Sequence, residues 1–176
     1  MEFYRKETNK PIDNYVIVSE YAGRIIDWMM NGKKIGLMLS GGVGCGKTTF
    51  LNAICRMVNY LYYSNISYER RGFQWETAYT IVEWCGNNES RYNEFMRTEW
   101  AAIDDIGQES AELNRYGQML YPIRDIMLYR YEKNLLTLAT TNLNPKDLTE
   151  RYGKRLGDRM QEMFEIIVIK EDSYRR

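Results

Sequence analysis

A glycine-rich segment that ends in lysine and threonine is the part of this chain best suited to phosphate chemistry. Its residues are Gly41, Gly42, Val43, Gly44, Cys45, Gly46, Lys47 and Thr48, and Thr49 follows directly. Glycines let backbone N–H groups turn toward phosphate oxygens, because a β-carbon would intrude there. A lysine at this position reaches the β- and γ-phosphates, and the threonine hydroxyl can ligate Mg²⁺. The segment therefore predicts a phosphate-binding loop that takes ATP and Mg²⁺ as cofactors.

The residues on either side of this loop support the same interpretation. The apolar run 35–39 predicts a strand before the loop, and the run from Lys47 to Tyr62 predicts a helix after it. The N-terminus of such a helix adds free N–H groups and the positive end of its dipole at the phosphates. A glycine-rich turn that matches the pattern by chance is the alternative, and the strand–loop–helix order disfavours it.

Two adjacent carboxylates follow a second apolar strand and could complete the site. The strand is predicted over 100–103, and Asp104 and Asp105 come directly after it. Asp104 is the expected partner of the metal, and Asp105 is the candidate base that polarises the attacking water. Asp105 is one methylene shorter than the glutamate often found in that role. The alternative is that the two aspartates only open a turn.

An asparagine and a group of basic residues are further candidates. Asn142 follows the predicted strand 135–141 and could bond a γ-phosphate oxygen and the lytic water, or it could cap the next helix. The run 151–159 is the most basic stretch of the chain. It is either a solvated helix face or a source of an arginine, such as Arg155 or Arg159, for a phosphate in a neighbouring subunit.

Composition narrows the class of protein. Hydrophobic residues make up 44% of the 176 residues and charged residues 27%, which is typical of a globular domain. The absence of histidine and the three scattered cysteines disfavour a zinc site or a histidine-based triad. Lys plus Arg and Asp plus Glu both number 24, so no net charge attracts nucleic acid. The sequence has no signal peptide and no membrane-spanning run, so we expect no membrane contact and a cytoplasmic location.

Strands and helices alternate along the chain, which predicts a parallel α/β sheet. Strands are predicted over 35–39, 72–76, 100–103, 135–141 and 165–169. Helices are predicted from Ser19, as N-cap, to about Met30, and then over 47–63, 78–85, 90–97, 117–132 and 145–160. Pro122 occupies the first turn of its helix or introduces a kink. We expect residues 1–14 to be loosely held and residues 15–176 to form one domain.

The order and spacing of several segments resemble the ATPase domain of the DnaC/IstB-type branch of AAA+ proteins. This branch contains bacterial helicase loaders and ATP-dependent helpers of transposases. The matching segments are 41–48, 103–107, 140–143, 150–160 and 173–175. The resemblance implies a P-loop NTPase of the ASCE type. Its α/β fold would be a three-layer sandwich around a parallel five-stranded sheet of order 5-1-4-3-2, without a C-terminal helical lid.

The resemblance also implies roles for individual residues. Asn142 becomes the first sensor of the nucleotide. Arg159 becomes the arginine finger that acts on the neighbouring subunit, with Arg155 as the next candidate. Arg175, in the tail, would contact the nucleotide in place of the missing lid. The segment 75–99 falls where this branch places elements that bind single-stranded DNA.

Together these features predict an ATPase that acts in DNA replication, as a helicase loader, or in transposition. Its expected partners are further copies of itself across the ATP site, a replicative helicase or a transposase, and single-stranded DNA. An alternative is an ATP-dependent interaction switch with little turnover, which the short side chain of Asp105 allows. A small-molecule kinase is a third interpretation, and the pair Asp104-Asp105 and the position of Asn142 argue against it.

Overall fold

The computed structural model describes residues 15–63 and 72–170. The helices in these ranges are α1 (Tyr15–Asn31), α2 (Lys47–Tyr63), α3 (Ala78–Asn87), α4 (Glu89–Arg97), α5 (Pro122–Glu132), α6 (Pro145–Tyr152) and α7 (Lys154–Met163). The strands are β1 (Gly36–Gly41), β2 (Gln74–Thr77), β3 (Trp100–Ile106), β4 (Leu113–Arg115), β5 (Gln118–Leu120), β6 (Leu136–Thr141) and β7 (Phe164–Ile169). None of these helices is both long enough and apolar enough to cross a membrane. The predicted loose segment 1–14 lies outside the described residues.

Five strands form one parallel sheet in the order β2-β3-β6-β1-β7. Strands β4 and β5 form a separate antiparallel hairpin. When only the strands of the large sheet are numbered along the chain, the order becomes 2-3-4-1-5. This is the predicted order 5-1-4-3-2 read from the opposite edge, so the predicted topology is confirmed.

Helices cover both faces of this sheet and give it three layers. Successive side chains of a strand point to opposite faces, and β1 follows this rule. Leu37 and Leu39 pack in a core with α1 and α2, whereas Met38 packs in a second core with helices α3 to α7. The three-layer α/β sandwich predicted for this chain is therefore confirmed.

Adjacent central strands bring the predicted site residues to one edge of the sheet. Strands β1, β3 and β6 are neighbours and run in the same direction. Their carboxyl ends therefore lie side by side, where ligands of open α/β sheets bind. The phosphate-binding loop follows β1, Asp104 and Asp105 lie near the end of β3, and Asn142 follows β6.

Several element boundaries differ from the expectations. Helix α1 begins at Tyr15, so Ser19 lies inside the helix and does not cap it. The predicted helix 117–132 begins at Pro122, which occupies the first turn, and residues 113–120 before it form the β4–β5 hairpin. The predicted helix 145–160 is two helices divided at Gly153, whose φ of +89° lies in the left-handed region that favours glycine.

Candidate functional site

The lysine of the phosphate-binding loop folds back into the loop itself. Lys47 is the first residue of α2 and is only 5% exposed. Its ammonium group donates to the carbonyl oxygens of Gly41 at 3.0 Å and Gly42 at 2.7 Å. The loop therefore holds a positive charge at a helix N-terminus, and this combination attracts anions.

Glycines and a small cysteine let the loop take this tight shape. Gly44 and Gly46 have φ values of +81° and +96°, a backbone conformation that side chains with a β-carbon disfavour. A β-carbon at Gly41 would lie 2.5 Å from the carbonyl oxygen of Ile169 and 3.0 Å from the sulfur of Cys45. Cys45 is buried in the core that also contains residues of β1 and β7, so its side chain anchors the loop to this core.

The structure brings the two predicted metal ligands into contact. The hydroxyl of Thr48 donates to a carboxylate oxygen of Asp104 at 3.2 Å, across the gap between α2 and β3. Burial raises the pKa of the Asp104 carboxyl, and hydrogen bonds from Thr140 and Thr48 lower it again in part. Carboxylate and hydroxyl oxygens are the hard ligands that Mg²⁺ prefers.

Asp105 adopts a left-handed backbone conformation next to Asp104. Its φ is +57°, and the pairing of β3 with β6 shifts register between Ile103 and Ile106. The backbone N–H of Asp105 donates to the hydroxyl oxygen of Thr140 at 2.8 Å. A bulge of this kind re-aims a side chain at the end of a strand. Asp104 and Asp105 therefore do not simply open a turn, because β3 continues through both to Ile106.

Thr140 is a residue of this site that the sequence reasoning missed. It is fully buried in β6, and its hydroxyl donates to Asp104 while it accepts from Asp105. It is one of three threonines in β6, and its place near the carboxyl end of this strand, where ligands of parallel sheets bind, is the signal that could have identified it.

Asn142 presents a buried acceptor without a partner. Its side-chain oxygen has no hydrogen bond within the described residues, although little solvent reaches that atom. The capping role that was an alternative for Asn142 belongs instead to Asn144. The Asn144 side chain accepts from the N–H groups of Lys146 at 2.9 Å and Asp147 at 3.0 Å. The helix therefore leaves Asn142 available for a ligand at the sheet edge.

The two candidate arginine fingers lie on α7. Arg155 is exposed. Arg159 donates to both carboxylate oxygens of Glu162 at 3.0 Å and lies over the ring of Tyr131, 4.9 Å from its centroid. The Glu162 carboxylate raises the pKa of Arg159. Among the described residues, no hydrogen bond or ring contact of Arg159 reaches Lys47, Asp104 or Asp105. Arg175 lies outside the described residues.

These residues fit a nucleotide with Mg²⁺. Magnesium in such sites takes one or two protein oxygens and completes its coordination with water and substrate phosphates. Thr48 and Asp104 offer that number, and among the described residues no group of three or more acidic or cysteine side chains forms a self-sufficient metal cage. Lys47 follows β1 and Asn142 follows β6 at the same edge of the sheet, so the ammonium of Lys47 and the amide N–H of Asn142 would be the donors to phosphate oxygens.

The sequence matches no protein-family model and no curated protein. Comparison with solved structures does give matches. The chain shares its fold with the structures of replication proteins such as DnaC. The DnaC helicase loader is 23% identical, with a TM-score of 0.64 over 92% of this chain and 97% of the DnaC chain. The DnaI structure is 24% identical, with a TM-score of 0.59 over 93% of this chain and 85% of the DnaI chain.

A third similar structure is the replication initiator DnaA bound to AMPPCP and single-stranded DNA. It is 19% identical, with a TM-score of 0.54 over 90% of this chain and 46% of the DnaA chain. The similarity to DnaA therefore concerns less than half of that protein. At these identities the comparisons establish the fold, and the expected DnaC-like fold is confirmed.

Proposed function

We propose that this chain binds ATP with Mg²⁺, hydrolyses it, and uses this cycle in DNA replication in the manner of a helicase loader. One observation carries the proposal: the hydroxyl of Thr48 lies 3.2 Å from the Asp104 carboxylate, beside a loop that buries the charge of Lys47. This arrangement offers oxygen ligands for a metal and a cation for phosphates at one sheet edge.

Each residue of the site has a distinct part in the proposed reaction. Lys47 and the loop N–H groups bind the phosphates, and Thr48 and Asp104 would hold Mg²⁺. When bound, the metal would neutralise part of the negative charge of the phosphates. Asp105 positions the attacking water and accepts its proton. The amide N–H of Asn142 donates to a γ-phosphate oxygen, and its unpaired side-chain oxygen accepts from the attacking water.

The replication role is supported by the proteins that share this fold. DnaC is a helicase loader, and DnaA has been seen with AMPPCP, an ATP analogue, and single-stranded DNA. A replicative helicase is therefore the proposed partner, and a transposase is the alternative within the resemblance. Single-stranded DNA is proposed to contact the segment 75–99, where Arg91 and Arg97 are exposed.

We further propose that a neighbouring copy completes the site with Arg159, or with Arg155 as the next candidate. Arg159 is held by Glu162 and Tyr131 of its own chain, so its guanidinium is already oriented rather than free to rotate. A pre-oriented arginine loses less side-chain entropy when it contacts a phosphate. A phosphate from the next subunit would compete with Glu162 for it.

A second candidate function is an ATP-dependent interaction switch with little turnover. Asp105 has a shorter side chain than glutamate, and Arg159 is engaged by a carboxylate on its own chain. Both features would slow hydrolysis without weakening ATP binding. Turnover measured with and without single-stranded DNA separates the two functions.

The decisive experiment measures ATP binding and phosphate release for the wild type and two variants. Lys47→Ala is expected to abolish ATP binding, whereas Asp105→Asn is expected to bind ATP and lose hydrolysis. Lys33→Ala is the matched control, because Lys33 is an exposed lysine outside the loop, and it should behave as the wild type. A wild-type protein that binds no ATP would overturn the proposal, and turnover retained in Asp105→Asn would remove that residue from its role.

Mixing tests the contribution of a neighbouring copy. Arg159→Ala is expected to bind ATP normally and hydrolyse it poorly. Addition of Lys47→Ala protein, which has Arg159 but no working loop, should then restore phosphate release. If the mixture stays as inactive as its components, Arg159 does not act across a subunit boundary.

A further inference from the structure

A buried glutamate lies four residues after Asp105 and collects hydrogen bonds from two separate elements. Glu109 is only 3% exposed. One of its carboxylate oxygens accepts from the backbone N–H of Gly107 at 2.8 Å. The other accepts from the hydroxyl of Tyr152 and lies 3.8 Å from the guanidinium of Arg151. A buried carboxylate costs free energy unless such partners compensate it, so the full set of partners marks a built arrangement.

The first element that Glu109 holds is the turn after Asp105. Gly107 has a φ of +98°, and a β-carbon there would lie 2.5 Å from the side chain of Leu143. The turn is therefore pressed against the residue that follows Asn142. The hydroxyl of Thr141 adds a bond to the carbonyl oxygen of Ile106 at 2.7 Å. These two contacts therefore join the segment that carries Asp105 to the segment that carries Asn142.

The second element is the end of α6. Arg151 and Tyr152 are its last two residues, and Gly153 then separates it from α7, which carries Arg155 and Arg159. Arg151 also donates to the backbone carbonyl of Glu109. The end of α6 therefore contacts both the main chain and the side chain of Glu109. Burial, together with the Glu109 carboxylate, raises the pKa of the Tyr152 phenol, which therefore keeps its proton to donate.

We propose that Glu109 is a positioning residue that locks the turn after Asp105 to the helix end before Arg155 and Arg159. Through this one carboxylate, the arrangement of the ATP site and the orientation of α7 are set together. The proposal rests on the proposed function for its effect on hydrolysis, but the mechanical link does not depend on it. Within the part of the chain that the structure describes, the hydrogen bonds of Glu109 and Tyr152 go to no residue of the proposed ATP site, so neither is a catalytic residue.

The substitution Glu109→Gln tests the link with minimal change of shape. Both carboxylate oxygens accept hydrogen bonds, and an amide offers only one acceptor and no charge for Arg151. The turn and the helix end therefore compete for one oxygen. Tyr152→Phe removes a single donor and keeps the ring. Glu112→Gln is the matched control, because Glu112 is an exposed glutamate on the same loop.

Two measurements on the full chain decide the outcome. Hydrogen exchange of the nucleotide-free protein should rise in both segments 105–110 and 149–155 of Glu109→Gln, and stay unchanged in 136–141 and in Glu112→Gln. The kcat for ATP should fall about tenfold, because the lost hydrogen bond to a charged group orients the catalytic residues. The KM should stay within about twofold of the wild type, because Glu109 does not contact the nucleotide. Tyr152→Phe should show the same pattern to a smaller degree.

Other results would overturn the link. Exchange that rises in only one of the two segments, or equally across the whole chain, means that Glu109 does not join them. A parallel rise of KM and fall of kcat would assign Glu109 to nucleotide binding instead. If the wild type binds no ATP while the exchange pattern is as expected, the proposed function fails and the link stands.

Discussion

The hydroxyl of Thr140 donates a hydrogen bond to the carboxylate of Asp104 across two neighbouring strands. The same oxygen accepts from the backbone N–H of Asp105 at 2.8 Å. One buried hydroxyl therefore fixes both the side chain proposed to hold the metal and the backbone of the proposed base. Since Thr140 lies in β6, two residues before Asn142, it also ties these acids to the proposed nucleotide sensor.

We predict that Thr140→Val separates ATP binding from hydrolysis. Valine has nearly the shape of threonine, but it leaves the N–H of Asp105 without an acceptor, at a cost of about 1–3 kcal/mol. The backbone of Asp105 should then relax from its left-handed conformation and misplace the carboxylate. We expect ATP affinity without Mg²⁺ to stay within about threefold and phosphate release to fall about tenfold or more.

Thr140→Ser is the matched control for this prediction. Serine keeps the hydroxyl and loses only a methyl group, so most of the turnover should return. Calorimetric titration gives the ATP affinity, and a coupled phosphate assay gives the rate. Equal turnover in the valine variant and the wild type would show that Asp104 and Asp105 hold their positions without Thr140.

Because Asp105 has a left-handed backbone conformation, we predict that replacing it raises the stability of the fold and lowers the activity. A residue with a β-carbon is strained there by about 1–2 kcal/mol, and glycine is not. We expect Asp105→Gly to raise the free energy of unfolding by about 1 kcal/mol and to lose ATP hydrolysis. Urea unfolding and phosphate release measure the two effects.

Asn134→Gly is the control for this prediction. Asn134 is exposed, follows α5 and has a φ of +50°, so it shares the backbone conformation without lying at the site. It should gain stability and keep its turnover. A loss of stability in Asp105→Gly would mean that the aspartate side chain stabilises the fold rather than being held under strain.

The sequence predicted the sheet and the edge where the site lies, because both depend on local patterns. An apolar strand followed by the glycine-rich loop, and another followed by Asp104 and Asp105, are signals within a few residues of each other. The β4–β5 hairpin was missed. Its two-residue turn, Tyr116 and Gly117, has φ values of +53° and +83°, and a tyrosine is not the residue expected first in such a turn.

The side chains that position the site were beyond the reach of local patterns. Thr140 contacts Asp104 over 36 residues of sequence, and Glu109 contacts Tyr152 over 43. The first bond exists because the sheet order places β6 beside β3. The second exists because the fold packs the end of α6 against the loop after β3. The hydrogen-bonding residue types were visible, but their partners follow from the tertiary fold.

A buried arginine far from the site predicts a large effect on stability. Arg130, at the end of α5, has no exposed surface and donates to the hydroxyl of Thr137 at 2.8 Å. It also donates to backbone carbonyls, among them Thr98 and Leu136, both at 2.7 Å. Burial lowers the pKa of Arg130 to about 10, so it stays charged at neutral pH. One side chain thus joins α5 to the starts of β3 and β6.

We predict that Arg130→Met lowers the free energy of unfolding by at least about 3 kcal/mol, because several buried carbonyls lose their donors together. Arg130→Lys should recover only part of this, since an ammonium cannot reproduce the planar fork. Arg124→Met is the control, and its partly exposed pair with Asp125 should contribute less than about 1 kcal/mol. Urea unfolding at pH 7 distinguishes these cases, and a small effect of Arg130→Met would refute the structural role.

Tyr92 predicts how stability depends on alkaline pH. Its buried hydroxyl donates to the carbonyl oxygen of Pro122 at 2.9 Å, joining α4 to the start of α5. Burial raises the pKa of this phenol above its ordinary value of 10.0. Above pH 10 the unfolded chain releases the phenolic proton and the folded chain keeps it, so the folded state binds more protons. Its stability must therefore fall as the pH rises through this range.

We predict that Tyr92→Phe is less stable than the wild type at pH 7 and loses less stability on going to pH 11. The cost at pH 7 should be about 1 kcal/mol for the lost hydrogen bond. Above pH 10, one phenol contributes a slope of up to about 1.4 kcal/mol per pH unit, and the phenylalanine variant lacks this contribution. Urea unfolding between pH 7 and 11 should therefore give two curves that converge. Parallel curves would mean that the Tyr92 phenol ionises as readily in the folded protein as in the unfolded chain, and that its bond to Pro122 does not hold the proton.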